Sequence, residues 1–209
     1  MSIISKIKAD KRLKKLALAL LIPMNDHRPR LWVRIFLNPF KHKRGKRSII
    51  RFNTRLDVFP FNEFQLGDNS VIESFTTINN GVGNVIVGSK TIIGMSNVII
   101  GPVKIGNNVM LAQNIVVSGL NHGYEDVNIS PAFQKVSCKD ITIADDVWIG
   151  ANSVITAGVS LGRHCIIGAG SVVTKDVPEF SIAVGNPAKV IKKYNFTTST
   201  WEKVNNQTL

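Results

Sequence analysis

Residues 143–177 read IADDVWIGANSVITAGVSLGRHCIIGAGSVVTKDV. Cut at every sixth residue, the stretch places an aliphatic side chain at Ile143, Ile149, Ile155, Leu161, Ile167 and Val173. The residue four further on is Val147, Ser153, Val159, Cys165, Ser171 or Val177, each small or β-branched. Glycine often follows the aliphatic residue, as at Gly150, Gly162 and Gly168. A helix repeats near 3.6 residues and a half-buried strand near two, so neither accounts for a strict six. Short strands joined by tight turns and stacked coil upon coil do account for it, the aliphatic position pointing into a shared core.

The ladder recurs at Val87, Ile93, Ile99, Ile105, Leu111 and Val117, and more faintly at Leu66, Ile72 and Ile78. Asn97 is the polar member of the upstream four-on set and reads as a buried amide bonded to turn backbone, because buried polar groups need partners. The spacing breaks between Ile78 and Val87 and again between Val117 and Ile143. Such breaks are where loops leave a solenoid, and those loops often carry function.

The strings Val147-Trp148-Ile149-Gly150-Ala151, Ile167 through Asp176 and Gly185-Asn186-Pro187-Ala188-Lys189-Val190-Ile191 resemble the hexapeptide-repeat acyltransferases. The maltose and galactoside acetyltransferases and the polysaccharide O-acetyltransferases are the most similar branch. The resemblance covers residues 66–193 and implies an all-β chain, a left-handed parallel β-helix of triangular section. Three regions are expected: a basic amphipathic segment over 1–48, the β-helix over 49–193 with a catalytic loop at 118–140, and a polar tail over 194–209. Residues 49–64, where Phe59, Phe61 and Phe64 fall out of step, read as a distorted first coil.

Charge is placed unevenly. Residues 1–65 hold 16 Lys and Arg against 4 Asp and Glu, whereas residues 66–209 hold 10 of each. All of the net +12 therefore lies in the N-terminal third, which argues for an anionic partner surface. Residues 3–22 read as a basic amphipathic helix with Leu13, Leu16, Ala17, Leu20 and Leu21 recurring at three and four. A second apolar run covers Leu31 to Leu37. The two runs either lie on anionic lipid, with Trp32 and Phe36 as further anchors, or cover the open first coil; the readings are compatible. Neither run approaches the ~20 residues a membrane crossing needs, and no cleavage site follows Ile22. The chain is expected in the cytoplasm, with residues 1–48 able to touch the inner leaflet. The basic run Lys41–Arg47 lacks interleaved aromatics and any nucleic-acid motif, so no nucleic-acid partner is expected. Cys165 reads as a small core residue and Cys138 as a solvated one.

Acetyl transfer from a thioester to a hydroxyl needs a proton acceptor, an oxyanion donor and a grip on the coenzyme. Histidine suits the first task. Of four histidines, His27 and His42 sit among charges and read as solvated or phosphate-contacting, and His164 reads as a surface residue. His122 lies in the long insertion, in the loop where the resemblance implies the catalytic base. Asn121, Tyr124 and Asp126 are candidates to orient the ring or the sugar, and Glu125 or Asp126 to bond the second ring nitrogen. A zinc site would need three converging histidines, and none accompanies His122, so no metal is expected.

The resemblance implies acetyl-CoA as donor, held in a groove between subunits of a homotrimer. Trp148 would line the acceptor and thioester end, the Ala151 amide would face the thioester, and Ala169 would meet the pantetheine arm. Thr174, Lys175, Lys189 and Lys192 match positions near the 3′-phosphate and adenine; lysine supplies a point charge where relatives often carry the arginine fork. No serine or cysteine stands in a nucleophile motif, so direct attack in a ternary complex is expected. The acceptor implied is a sugar, free or lipid-linked, in surface-polysaccharide synthesis. An amino sugar nucleotide acylated on nitrogen, or a non-catalytic solenoid scaffold, are the competing readings.

Overall fold

The computed structural model describes residues 9–24, 26 and 28–204. Three parallel sheets form the faces of a tube that the chain visits in turn. Face A starts at Lys43–Arg44 and climbs through Phe64–Leu66, Val85–Val87, Val103–Ile105, Ile141–Ile143 and Ser160–Leu161. Face B starts at Ile49–Ile50 and includes Met110–Leu111, Trp148–Ile149, Ile166–Ile167 and Ser181–Gly185. Face C starts at Arg55–Asp57 and reaches Val116–Ser118, Val154–Ile155 and Val172–Val173. This is the parallel β-helix that the period of six predicts.

Every inward aliphatic of the ladder from Leu66 to Val173 is at most 1% exposed. Burying each such side chain contributes about 1.5–3 kcal/mol, and stacking them in a column gives one continuous core. At most turns between faces the third residue after the aliphatic has a left-handed backbone; Gly81, Pro102, Leu120 and Asp176 hold the same slot without a positive φ. Asn69, Asn108, Asn114 and Asn152 meet that demand with φ between 55° and 59°, and Gly158 and Gly170 with φ of 90° and 69°. His164 occupies the same slot at φ 54°, exposed and stacked on Phe180 at 5.7 Å, in keeping with its reading as a surface residue.

Where glycine follows the aliphatic, the neighbouring coil approaches too closely for a side chain. A Cβ on Gly150 would lie 2.5 Å from the Ala169 nitrogen of the next coil. The four-on residues line the inside of the same turns. Ser70 donates to Gly88 O at 2.7 Å, Thr76 to Gly94 O at 2.8 Å and Thr91 to Gly106 O at 2.8 Å. Asn97 spans the turn as expected: Nδ2 donates to Gly94 O and Ala112 O at 3.0 and 2.9 Å, and Oδ1 accepts the Ile115 N–H at 2.5 Å. Buried turn backbone is thereby satisfied from inside the core. Cys165 is fully buried among the aliphatics, and burial pushes its thiol up to about 12, while Cys138 is exposed.

Both ends differ from the sequence reading. The first coil begins at Lys43, inside the segment assigned to the basic N-terminal region, because Lys43–Arg44 pairs with Gln65–Leu66. It is less distorted than expected: Ile49–Ile50 and Arg55–Asp57 pair in register with the second coil. The out-of-step Phe59 and Phe61 sit in the bulge that follows, stacked at 5.2 Å. His42 is neither solvated nor placed for phosphate. Its Nδ1 accepts the Phe64 N–H at 3.2 Å, and its Nε2 is enclosed without a partner among the described residues. Asn38 Nδ2 donates to Val58 O at 2.8 Å, and Val33 is fully buried, so residues 33–42 cover the open end of the tube. The amphipathic helix spans Lys11–Leu21, capped by Asp10, whose Oδ1 accepts from the Arg12 and Leu13 N–H groups at 2.7 and 3.2 Å. The part of that helix expected over 3–8 lies outside the described residues, as does His27.

At the other end, the expected polar tail is a strand. Thr200–Lys203 pairs antiparallel with Ala188–Asn195, which in turn pairs with Ser181–Gly185 at the edge of face B. Tyr194 packs on Phe196 and Trp201, and Phe196 on Phe180, so aromatic edges hold the hairpin in place.

Two consequences are measurable. Asn97→Ala leaves buried turn groups without partners and should destabilise the chain by about 1–3 kcal/mol in urea unfolding, with an unchanged m-value. Burial lowers the His42 pKa below its ordinary 6.5. The unfolded chain therefore binds the proton first, and stability falls as pH drops below 6.5 until the folded-state pKa is passed. The melting temperature should decline on acidification through that window, and less steeply in His42→Gln.

Candidate active site

The long insertion leaves the tube after Val116–Ser118 on face C and returns at Ile141–Ile143 on face A. It does not disturb the stack: Val103 pairs with Ile141 and Ile105 with Ile143 across it. The excursion is closed at its neck by a two-residue antiparallel ladder, Leu120 against Cys138 and Asn121 against Ser137. The Lys139 N–H bonds Gly119 O at 2.9 Å beneath it.

His122 follows the neck directly, so its backbone is fixed while its side chain is exposed. Further out, Gln134 binds the loop to itself. Its Nε2 donates to Asp126 O at 2.8 Å and Ile129 O at 2.7 Å. Neither candidate carboxylate orients the ring within this chain. Glu125 turns onto its own loop and accepts the Tyr124 N–H at 2.9 Å, and backbone N–H groups hold its carboxyl below the usual range. Asp126 accepts the Asn128 N–H at 2.9 Å. Tyr124 is 75% exposed. The sequence reading missed Gln134 as the residue that ties the loop together; a lone Gln in a polar loop carries no pattern that would reveal it.

Trp148 lies on the outer side of face B between Met110 and Ile166, 46% exposed. Three residues on, Ala151 sits in the turn between faces B and C. Its carbonyl accepts the Gly170 N–H at 2.8 Å, while its own N–H takes no acceptor among the described residues. Ala169 is exposed at the equivalent turn one coil later. Beyond it the column meets the hairpin: Gly168 N–H bonds Ala183 O at 2.9 Å, Lys189 pairs with Val184 and Lys192 with Ile182. Trp148, Ala151, Ala169, Lys189 and Lys192 thus mark a line parallel to the tube axis along face B and its edge with C.

Thr174 and Lys175 do not join that line. They are exposed in the turn from face C to face A, the edge from which the His122 loop also springs. One chain therefore presents two partial sets on two edges of the prism. A free amide and a cationic column stand on one edge; a free imidazole, a hydroxyl and a lysine stand on the other. Among the described residues no three His, Cys, Asp or Glu side chains converge as a metal-ligand set.

Residues 140–175 match the bacterial transferase hexapeptide family model, which spans six repeats. The galactoside O-acetyltransferase of Escherichia coli is 31% identical over 168 residues, covering 75% of this chain and 81% of that protein. A putative lipopolysaccharide biosynthesis O-acetyl transferase of the same organism, WbbJ, is 34% identical over 108 residues, or 48% of this chain and 55% of that one. Among solved structures, the N-acyltransferase AntD of Bacillus cereus, with dTDP and 3-hydroxybutyryl-CoA, superposes with a TM-score of 0.65. It is 20% identical and the match covers 79% of this chain and 90% of AntD. The chain belongs to the hexapeptide-repeat transferase family, and its tube is the left-handed β-helix of that family. It spans between 42% and 63% of the length of three further curated relatives, WbbJ among them.

Proposed function

We propose that this chain is an acetyl-CoA-dependent O-acetyltransferase acting on a sugar hydroxyl in surface-polysaccharide synthesis, assembled as a homotrimer. The observation that carries the reading is the His122 side chain, exposed on a backbone pinned by the neck of its loop. The attacking hydroxyl oxygen bonds the thioester carbonyl carbon as a ring nitrogen of His122 takes its proton. The unpartnered Ala151 N–H donates to the oxyanion that forms. Collapse breaks the carbon–sulfur bond, and the CoA thiolate recovers the proton from the imidazolium. No covalent acyl-enzyme intervenes.

The split of the residues between two edges supports the homotrimer. A second copy with its loop edge against the Ala151 edge of the first would complete each site, with His122 and Thr174–Lys175 from one chain and Trp148, Ala151 and Lys189 from the other. The pantetheine arm would follow the Ala151–Ala169 line, and Lys189 and Lys192 would meet the phosphates. WbbJ and the galactoside enzyme, by their names, transfer acetyl to oxygen, which favours a hydroxyl acceptor here.

His122→Ala should lower kcat by about 10²–10⁴-fold while acetyl-CoA still raises the melting temperature, read by steady-state kinetics and thermal shift. Loss of the thermal shift together with absence of any turnover would point to a scaffold, and acetyl recovered on an amine would replace the acceptor. Incubation with labelled acetyl-CoA and no acceptor should leave the protein unlabelled; a stoichiometric acetyl adduct would overturn direct transfer.

A further inference from the structure

The helix Lys11–Leu21 contains no buried residue, so core formation does not explain its apolar content. One side, with the exposed Lys14 and the half-buried Ala17, Leu18 and Leu21, lines a cleft against Pro60 and Phe61. On the outer side Leu13, Leu16 and Leu20 recur at three and four and are 44%, 60% and 58% exposed. Arg12 and Lys15 are exposed along one side of that stripe. A second stripe, Trp32, Phe36 and Phe40, recurs at four and is 42%, 65% and 87% exposed. It is held over the tube mouth by the buried Val33. The two pieces are clipped together: the Arg30 N–H bonds Leu21 O at 2.9 Å, and its guanidinium donates to Ala19 O at 3.1 and 3.2 Å.

We propose that this clipped pair of segments is a docking surface for an anionic lipid bilayer. Two independent features select that occupant. The charge selects an anion, because residues 1–65 carry the whole net +12 and the remainder of the chain is neutral. The exposed leucine and aromatic stripes select a partner with hydrocarbon to receive them, which a soluble polyanion lacks. A second copy of this chain is disfavoured, since a two-fold contact would bring one cationic segment against another. No described helix is long and apolar enough to cross a bilayer, so the segment lies along the surface. Trp32, with an apolar ring and a polar N–H, suits that boundary.

The test is co-sedimentation of the full chain with vesicles of phosphatidylcholine alone and of phosphatidylcholine mixed with phosphatidylglycerol. The protein should pellet with the mixed vesicles and stay in solution with the neutral ones. Binding should fall about tenfold in Leu16→Gln/Leu20→Gln, and similarly in Lys11→Ala/Lys15→Ala or at high salt. Because Lys11, Lys15, Leu16 and Leu20 are all exposed, each variant should keep the parental melting temperature, separating lost docking from lost fold. Equal binding to both vesicle types, or none to either, overturns the proposal. So does unchanged vesicle binding in the leucine variant, whether or not its oligomeric mass has dropped. Soluble polyphosphate bound as tightly, with no sensitivity to the leucine changes, overturns it too.

Discussion

The close approach of one coil to the next governs this molecule. Parallel strands in adjacent coils must exchange backbone hydrogen bonds on all three faces at once, and the turns between faces must superpose with equal accuracy. A regular coil takes 18 residues, the separation across which the Ser89 N–H bonds the Asn107 side chain, while the first two coils are longer. The preferences along the ladder follow from that stacking: an aliphatic inward, often glycine where the next coil's backbone passes closely, a left-handed residue at most turns, and a small, β-branched or polar residue filling the inside of the bend. Asn97 and Thr91 show the last rule most clearly. Each donates to a turn carbonyl one coil above and accepts an N–H from that coil, so the polar column inside the tube reinforces the apolar one.

Such a stack tolerates insertion only where it leaves both neighbouring coils in register. The excursion over 118–140 does so, and the Asn107 N–H finds Asp145 Oδ1 at 2.7 Å across a separation of 38 residues. A two-residue neck is enough to hold the loop upright, and the Gln134 amide ties its outer part into a compact unit. In the proposed enzyme this division assigns donor handling to the tube wall and acceptor handling to the loop. The C-terminal hairpin serves the opposite purpose: it places antiparallel, lysine-bearing strands where face B would otherwise expose an edge.

The tube was legible because its pattern repeats with every coil, so a single polar exception such as Asn97 could not hide it. The ends were less legible because each occurs once. His42 closes the first coil through one hydrogen bond to a residue 22 positions away, and nothing in a run of lysine and arginine announces that. Of the hairpin, residues up to 193 were read with the β-helix, but the second strand, Thr200–Lys203, is a single short run in a polar stretch and read as tail. For the candidate site, the sequence offered individual residues without showing which edge of the tube each one stands on. Counting in eighteens places Ala151 and Ala169 on one edge and Thr174 on another, a separation that a flat list of motif matches conceals.

The narrow neck beneath His122 has an evolutionary corollary. Because the coils below and above the loop already pair in register, the part of it beyond His122 is exchangeable as a cassette, free to lengthen, shorten or change sequence without retuning the scaffold. Selection can then revise what the protein recognises by swapping one surface module, and descendants with unlike loops can keep nearly superposable walls.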